Sequence, residues 1–439
     1  MNGSDGAPRW AGWTVFLFAF AIRLFFLTLV PDDAIRPSRD WELDSIAMSI
    51  AQSGRFADPY IIPTGPTAHL PPVAPGILAL IYRGFGITMT AGILGWLFRI
   101  VMQSAIWGLL PRIGQRAGLG WRAGLTGGMA GALIPLWLAH GEALAAVLMG
   151  LMVLAAIRRW DSIPPPAESI LFGAMFAVSF HVQPAFLPVL LGYLGFELWS
   201  RTDLAKWRSV GLVALSALTV CVPWATRNYR ALDGLFFVRS NFGLELRMGN
   251  HEGATAAIDD SHFRFVPHPR THVAEALRVR QAGELPYMRQ QGSDAADWIV
   301  SNPGSFTRLT AERIAWFWFG PIRRPAAALP FVLLTGLAIL GSIRLVRSGS
   351  VAAAAALLIP LATFPPVYYL VPWQHRYRFP VEWILYLLAG SWLVGRFAPR
   401  ILRLNRAGGS ARTRAREDPA SPRPDRVADW ASTLPPGGR

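Results

Sequence analysis

The sequence predicts an all-α protein that crosses a membrane many times. Three observations carry that prediction. The 439-residue chain is 52% hydrophobic, with a mean hydropathy of +0.33. Only 16% of its residues are charged, against roughly 25% in a soluble globular protein. Apolar runs recur from residue 13 to residue 397, many close to the ~20 residues that cross a hydrocarbon core of ~30 Å. The net charge of +15 does not mark a nucleic-acid binder. The basic residues sit mostly in short loops between apolar runs and in the tail, where a membrane protein keeps its orientation signal. Cys221 is the single cysteine, so no intrachain disulfide can form.

The first run, 13–30, lacks a small-x-small pattern after it and reads as an uncleaved span. Runs at 91–111, 123–140, 142–157, 168–183, 185–199, 209–224, 325–343, 351–371 and 381–397 bring the expected total to about ten. Breaks at His140-Gly141-Glu142 and Gln183-Pro184 predict tight turns. With both termini inside, ten spans put the basic clusters at Arg112–Arg122, Arg158–Arg159, Arg201–Arg208, Arg344–Arg347 and beyond Arg400 in the cytoplasm. The apolar segment 71–86 has too short a core to cross and is expected to lie in the outer interface. The organisation is then a transmembrane domain over 1–398, with external loops at 31–90 and 225–324, and a disordered basic cytoplasmic tail at 399–439. In the long loop, helices are expected at 270–291 and 293–316.

The first external loop opens with three carboxylates, Asp40, Glu42 and Asp44. Leu43, Ile46, Ala47 and Ile50 recur at helical spacing, and Gly54 supplies a stop. The result is a short amphipathic helix along the membrane surface over 40–53. At 100° per residue Glu42 stands at the edge of the apolar stripe, one turn before Ile46. Asp40 lies near the helix start, and Asp44 points furthest from the stripe, toward water. Desolvation at the edge raises a carboxylate's pKa and suits Glu42 to proton transfer. The same acids also suit an ordinary first turn, where each complements the macrodipole by ~0.3–1 kcal/mol. Asp40 could serve as its N-cap. Periodicity leaves both readings open.

Other candidates follow along the chain. His69, just before Pro71-Pro72 in the Pro-rich stretch 56–72, suits phosphate binding or a base, or a structural role. Glu142, between apolar runs, is expected on the same face as Asp40 and Glu42; it is a site candidate or a helix-start acid. Arg23 inside the first span costs ~2.5–3.5 kcal/mol on insertion scales, so it faces protein or reaches for phosphate. Arg376, Tyr377 and Arg378 in HRYRFP, and Arg227 in PWATRNYR, suit a phosphate clamp or interfacial anchoring. No GxGxxG, Walker, HExxH or CxxC pattern stands in a credible context, so nothing points to a nucleotide, zinc or redox centre.

The order of features resembles the polytopic glycosyltransferases of the GT-C fold. It is most similar to the bacterial family 39 type, which includes protein O-mannosyltransferases and lipid A aminoarabinose transferases. The matching stretches are RDWELDSIA, PTGPTAHLPP, PWATRNY, RSNFGLELRMGN, the PY…NPGSF…ERIAWFWFG region and HRYRFPVEW, up to about residue 398. The resemblance implies a GT-C-like bundle of about ten transmembrane helices with amphipathic surface helices in the first external loop. It implies an inverting hexosyl- or pentosyltransferase of the bacterial inner membrane, acting on the extracytoplasmic side. A sugar would pass from a polyprenyl-phosphate donor to a hydroxyl of a protein, glycolipid or polysaccharide. In that family an acid ahead of an "IA" is the base; Ile46-Ala47 matches here. The acids are split by Trp41, which leaves the base open between Asp40 and Glu42. The resemblance further implies a role for Glu142 as the acid of the second external loop and for His69 before the Pro-Pro. It implies no fixed cofactor, with a divalent cation left open. A lipid-linked sugar transporter and a degenerate scaffold are the competing classes; the chain lacks the internal repeats expected of a transporter.

Overall fold

The computed structural model describes residues 6–134 and 140–414. Helices dominate, and among the described residues the only β pairing is two isolated bridges. Among the described residues, six helices are long and apolar enough to cross a membrane: Arg9–Leu27, Met89–Arg116, Gly141–Asp161, Ala205–Leu232, Pro325–Arg347 and Val351–Tyr369. They correspond to six of the ten expected spans. Two more appear as 15-residue helices, Pro166–Phe180 and Phe186–Ser200, each only ~22 Å long. The expected span 123–140 begins as Trp121–Ala132, while residues 135–139 lie outside the described residues. The last begins the helix Phe379–Arg414. The chain up to Val394 forms one compact unit, with a second unit beyond it. Most of the tail called disordered, from 415 on, lies outside the described residues.

We label the helices used below in chain order: α1 Arg9–Leu27, α2 Glu42–Ser53, α3 Val73–Phe85, α4 Met89–Arg116, α5 Trp121–Ala132, α6 His140–Asp161, α7 Pro166–Phe180, α8 Phe186–Ser200 and α9 Ala205–Leu232. In the long loop come α10 Phe242–Gly249, α11 Val273–Ala282, α12 Glu284–Ser301 and α13 Pro303–Phe319, with α14 Phe379–Arg414 last. Close packing of the spans rests on small residues, as expected where lipid removes the hydrophobic drive between helices. A Cβ on Gly124 would stand 2.1 Å from the Leu110 carbonyl oxygen, and one on Gly127 would stand 2.3 Å from that of Tyr386. The glycine-rich α5 therefore lets α4 and α14 approach backbone to backbone.

Three apolar clusters divide the work. The largest joins the spans. A second binds α2 to α3 through Ala47, Met48, Leu78, Ala79 and Tyr82. A third lies in the long loop and gathers Tyr60, Leu244, Met248, Val279, Tyr287 and Met288. It fastens the Pro-rich stretch of the first loop to the second. α2 begins at Glu42 and stops at Gly54, whose φ of 71° caps the helix in the left-handed region. Asp44 does not point to water. Its carboxylate accepts the Tyr82 hydroxyl, because α3 packs beside α2 and covers the flank that a helix on a flat membrane would leave wet. Arg159, read as a cytoplasmic loop cation, is buried against Glu197.

Candidate active site

α2 carries Glu42 in its first turn, and Arg270 from the long loop lies beside it. The Arg270 guanidinium lies 4.9 Å above the Trp41 ring. Its Nε stands 3.5 Å from Glu42 Oε1, and its Nη1 donates to the Asp40 carbonyl at 3.0 Å. Burial pushes the Glu42 carboxyl up from its usual range, against the pull of Arg270 and the weaker pulls of Arg376 and Arg239.

Two histidines complete this corner. Glu42, His69 and His268 each offer a ligand atom, and these atoms lie within 4.8 Å of one another. His69 is buried, and its Nδ1 shares a 2.9 Å hydrogen bond with the Tyr60 hydroxyl, which leaves Nε2 as a ligand atom. Burial, His268 and Arg239 hold its pKa well below the usual histidine range. His268 sits between Pro267 and Pro269; its Nδ1 accepts the Arg270 backbone N–H at 3.1 Å and lies 4.0 Å from Glu42 Oε1. Burial, opposed by Glu245 and assisted by Arg270 and His272, brings its pKa down to about 4. Both imidazoles are thus neutral near pH 7. One carboxylate and two neutral imidazoles form a donor set that fits a divalent first-row cation such as zinc. Tyr60 holding the far nitrogen of His69 is the outer-shell bond such a site uses.

A second charged pair belongs to the same site electrostatically. Glu142, in the first turn of α6, is buried and lies 3.6 Å from the Arg376 Nε. Burial pulls the Arg376 pKa down, but Glu142, Tyr377 and Glu245 together outweigh it and raise it. The Arg376 guanidinium lies 5.3 Å from the Tyr377 ring, and Tyr377 stacks on Tyr368 at 4.6 Å. Gln183, at the break between α7 and α8, donates to the Tyr368 hydroxyl. Arg239, 3.9 Å from Glu245, acts on Glu42, His69 and Tyr377 alike.

The remaining sequence candidates are engaged elsewhere. Asp40 is exposed, and its carboxylate takes the Ser38 hydroxyl. Arg378 is buried and donates to the carbonyls of Phe317 and Trp318 at 3.2 and 3.1 Å. It faces Glu382 at 3.5 Å. A tight turn over His375–Tyr377 sends Arg376 and Arg378 to different partners, so they form no joint clamp. Arg23 bonds to Gln103 and to the carbonyls of Ala19, Ala132 and Ile134, all of them protein groups. Arg227 donates to the carbonyls of Thr67 and Phe56 and so fastens the Pro-rich stretch. Sequence reasoning missed His268, Arg270, Arg239 and Glu245. The Pro-His-Pro-Arg run at 267–270 was a signal available for the first two, since flanking prolines stiffen a loop that presents a side chain.

No protein-family model matches the chain, and no curated protein matches it by sequence. Solved structures do match by shape. One is the crystal structure of the Archaeoglobus fulgidus oligosaccharyltransferase in complex with Zn and sulfate, with a TM-score of 0.53 and 13% identity over 91% of this chain and 51% of that one. Another is the oligosaccharyltransferase AglB from Archaeoglobus fulgidus in complex with an inhibitory peptide and a dolichol-phosphate. It has a TM-score of 0.52 and 14% identity over 91% of this chain and 52% of that one. The chain has a GT-C-like fold. It spans about half the length of the oligosaccharyltransferase chains it matches. ArnT from Cupriavidus metallidurans, bound to undecaprenyl phosphate, aligns at a TM-score of 0.35 and 16% identity over 89% of this chain and 80% of that one. At such identities the likeness speaks for the fold of this polytopic membrane chain, and fold alone does not fix chemistry.

Proposed function

We propose that the chain is an inverting glycosyltransferase of the bacterial inner membrane. It moves a sugar from a polyprenyl-phosphate carrier to a hydroxyl acceptor on the extracytoplasmic side. The observation that carries this reading is the meeting of Glu42, His69 and His268 beside Arg376 and Arg239. A base, a cation site and phosphate-binding arginines thus share one electrostatic neighbourhood. Support also comes from the fold, since an oligosaccharyltransferase that shares it was solved with Zn and another with a dolichol-phosphate.

Glu42 Oε1 faces Arg270 and His268, which leaves Oε2 to receive a proton. The acceptor oxygen attacks the anomeric carbon as Glu42 takes its proton. The bond from that carbon to the phosphate oxygen breaks, and its electron pair leaves with the polyprenyl phosphate. Arg376 and Arg239 stabilise the charge that collects there. A phosphate is already a good leaving group, so positioning and charge stabilisation carry most of the work. Glu42, His69 and His268 would hold a divalent cation, which supplies Lewis-acid charge stabilisation when bound. Asp40 is the weaker choice for the base, because it is exposed to water and lies outside the three-ligand cluster.

The test uses the purified chain in lipid with a panel of polyprenyl-phosphate sugars and hydroxyl acceptors. Wild type is expected to release polyprenyl phosphate and glycosylate an acceptor. Chelation is expected to stop turnover, and added divalent cation to restore it. Movement of sugar lipids across the bilayer without cleavage would replace this reading with a transporter.

A further inference from the structure

The Pro-rich stretch 56–72 has little structure of its own. Ala57 pairs with Pro66 in an isolated bridge, and Asp58 Oδ1 accepts the N–H groups of Thr64 and Gly65 at 3.0 and 2.8 Å. That closes its tip. Within the stretch the Thr67 N–H donates to the Phe56 carbonyl at 3.1 Å and Tyr60 holds the His69 ring; further ties at the His69 end come from the long loop. Gly283, at a φ of 84°, links α11 to α12, and the turn delivers Glu284 as the first residue of α12. Glu284 is buried, and its carboxylate accepts the Thr67 hydroxyl, the Ala68 N–H at 2.7 Å and the Ser240 hydroxyl. The Thr67 oxygen in turn accepts the His69 N–H at 2.9 Å. Ser240 returns a bond of its own, donating its N–H to the Ala68 carbonyl at 2.9 Å.

A buried carboxylate with three donors, two of them on the two residues just before a single ligand residue, is an expensive way to hold a loop unless its exact placement matters. We propose that Glu284 is the positioning residue for His69 and thereby sets the affinity of the Glu42–His69–His268 cluster for a divalent cation. The inference rests on the metal reading above. The Glu284 carboxylate acts through Thr67 and the backbone rather than on the cation. The long loop then supplies one ligand directly, His268, and holds a second in place from a distance.

The experiment uses the full chain in lipid nanodiscs with Co2+ as the probe, read by its visible d–d bands and by competition titration. Glu284→Ala is expected to raise the Co2+ Kd about 10–100-fold, the usual cost of losing an outer-shell partner. Glu284→Gln keeps an acceptor for the Ala68 N–H and should recover most of the affinity. Glu275→Ala is the control, since Glu275 is also a buried long-loop carboxylate but its partners are Tyr287 and Arg278. It should lower the melting midpoint and leave the Co2+ Kd unchanged. If Glu284→Ala does not fold, Thr67→Val breaks the same relay and should weaken binding in the same direction. Equal weakening by Glu284→Ala and Glu275→Ala, or none by either, overturns the positioning role and leaves the metal reading standing. Absence of Co2+ binding by wild type overturns the metal reading and this inference with it.

Discussion

Two groups of charge among the described residues, one buried in the bundle and one half-buried at the candidate site, are built on opposite plans. In the bundle, Arg159 donates to Glu197 at 2.7 and 3.2 Å, to Ser169 at 3.0 Å and to Ser209. These bonds tie α6 to α7, α8 and α9. At the candidate site, Glu42 lies 3.5 Å from Arg270 and 4.0 Å from His268, and Glu142 lies 3.6 Å from Arg376. The Arg376 Nε is buried without a hydrogen bond. The first group meets its desolvation with short bonds; the second keeps charges near each other at distances too long for strong hydrogen bonds. A closed network resists change, whereas a loose one leaves room for a ligand to complete it.

The largest expected effect tests the loose group. Glu42→Gln should lower kcat/KM by ~10²–10⁴-fold, the span that a general base contributes. Its melting midpoint should hold or rise, since a desolvated carboxylate is removed. Sugar-transfer kinetics and a thermal unfolding scan in detergent check both halves. A variant as active as wild type would remove Glu42 from the base role.

Next comes the closed group, where stability rather than turnover should respond. Arg159→Ala leaves Glu197 charged and buried, at a cost of ~3–5 kcal/mol. Denaturant unfolding should show that loss, while the activity of the molecules that stay folded remains near wild type. The double change Arg159→Met with Glu197→Leu should recover most of the stability. If the double variant stays as unstable as the single, the ion pair is more than a structural tie, and the contrast between the two groups weakens.

HRYRFP sharpens the contrast within one short segment. Arg376→Ala should lower kcat/KM by about 10²-fold, the lower cost of removing one charge-stabilising donor, with a smaller drop in midpoint than Arg378→Ala, because Glu142 loses a half-exposed partner that stands 3.6 Å away. Arg378→Ala should do the reverse, because it abandons Glu382 and two carbonyls in the interior. Side-by-side kinetics and melting of the two variants check the split. Equal kinetic losses would restore the joint clamp that the sequence suggested.

These arginines also show where a one-dimensional reading ends. The apolar runs, the break at Gln183-Pro184 and the stop at Gly54 were legible because each depends on local chemistry, whereas His140-Gly141-Glu142, expected as a turn, lies in the first turn of α6. Glu42 was half legible, since helical periodicity separated it from Asp40. Asp44 was misread because a helical wheel assumes one flat apolar neighbour, and α3 covers a second side. His268 and Arg270 were illegible as partners of Glu42, because their meeting depends on how the long loop docks through Tyr60, Leu244 and Tyr287. Arg376 and Arg378 look equivalent in sequence, but a turn directs them to different places.

The smallest expected effect falls on Asp40, which the family resemblance left open beside Glu42 as the base. Its carboxylate is exposed and takes the Ser38 hydroxyl. Its link to the site is a backbone carbonyl that accepts from Arg270, and a side-chain change leaves that bond in place. Asp40→Asn should therefore keep kcat/KM within a few-fold of wild type and shift stability by less than about 0.5 kcal/mol, as for an ordinary surface position. Kinetics on Asp40→Asn, Glu42→Gln and the double variant decide between the two acids. A double variant no worse than Glu42→Gln alone fits Glu42 as the base. A loss at Asp40→Asn as large as that at Glu42→Gln moves the proton to Asp40 and leaves Glu42 to hold the cation.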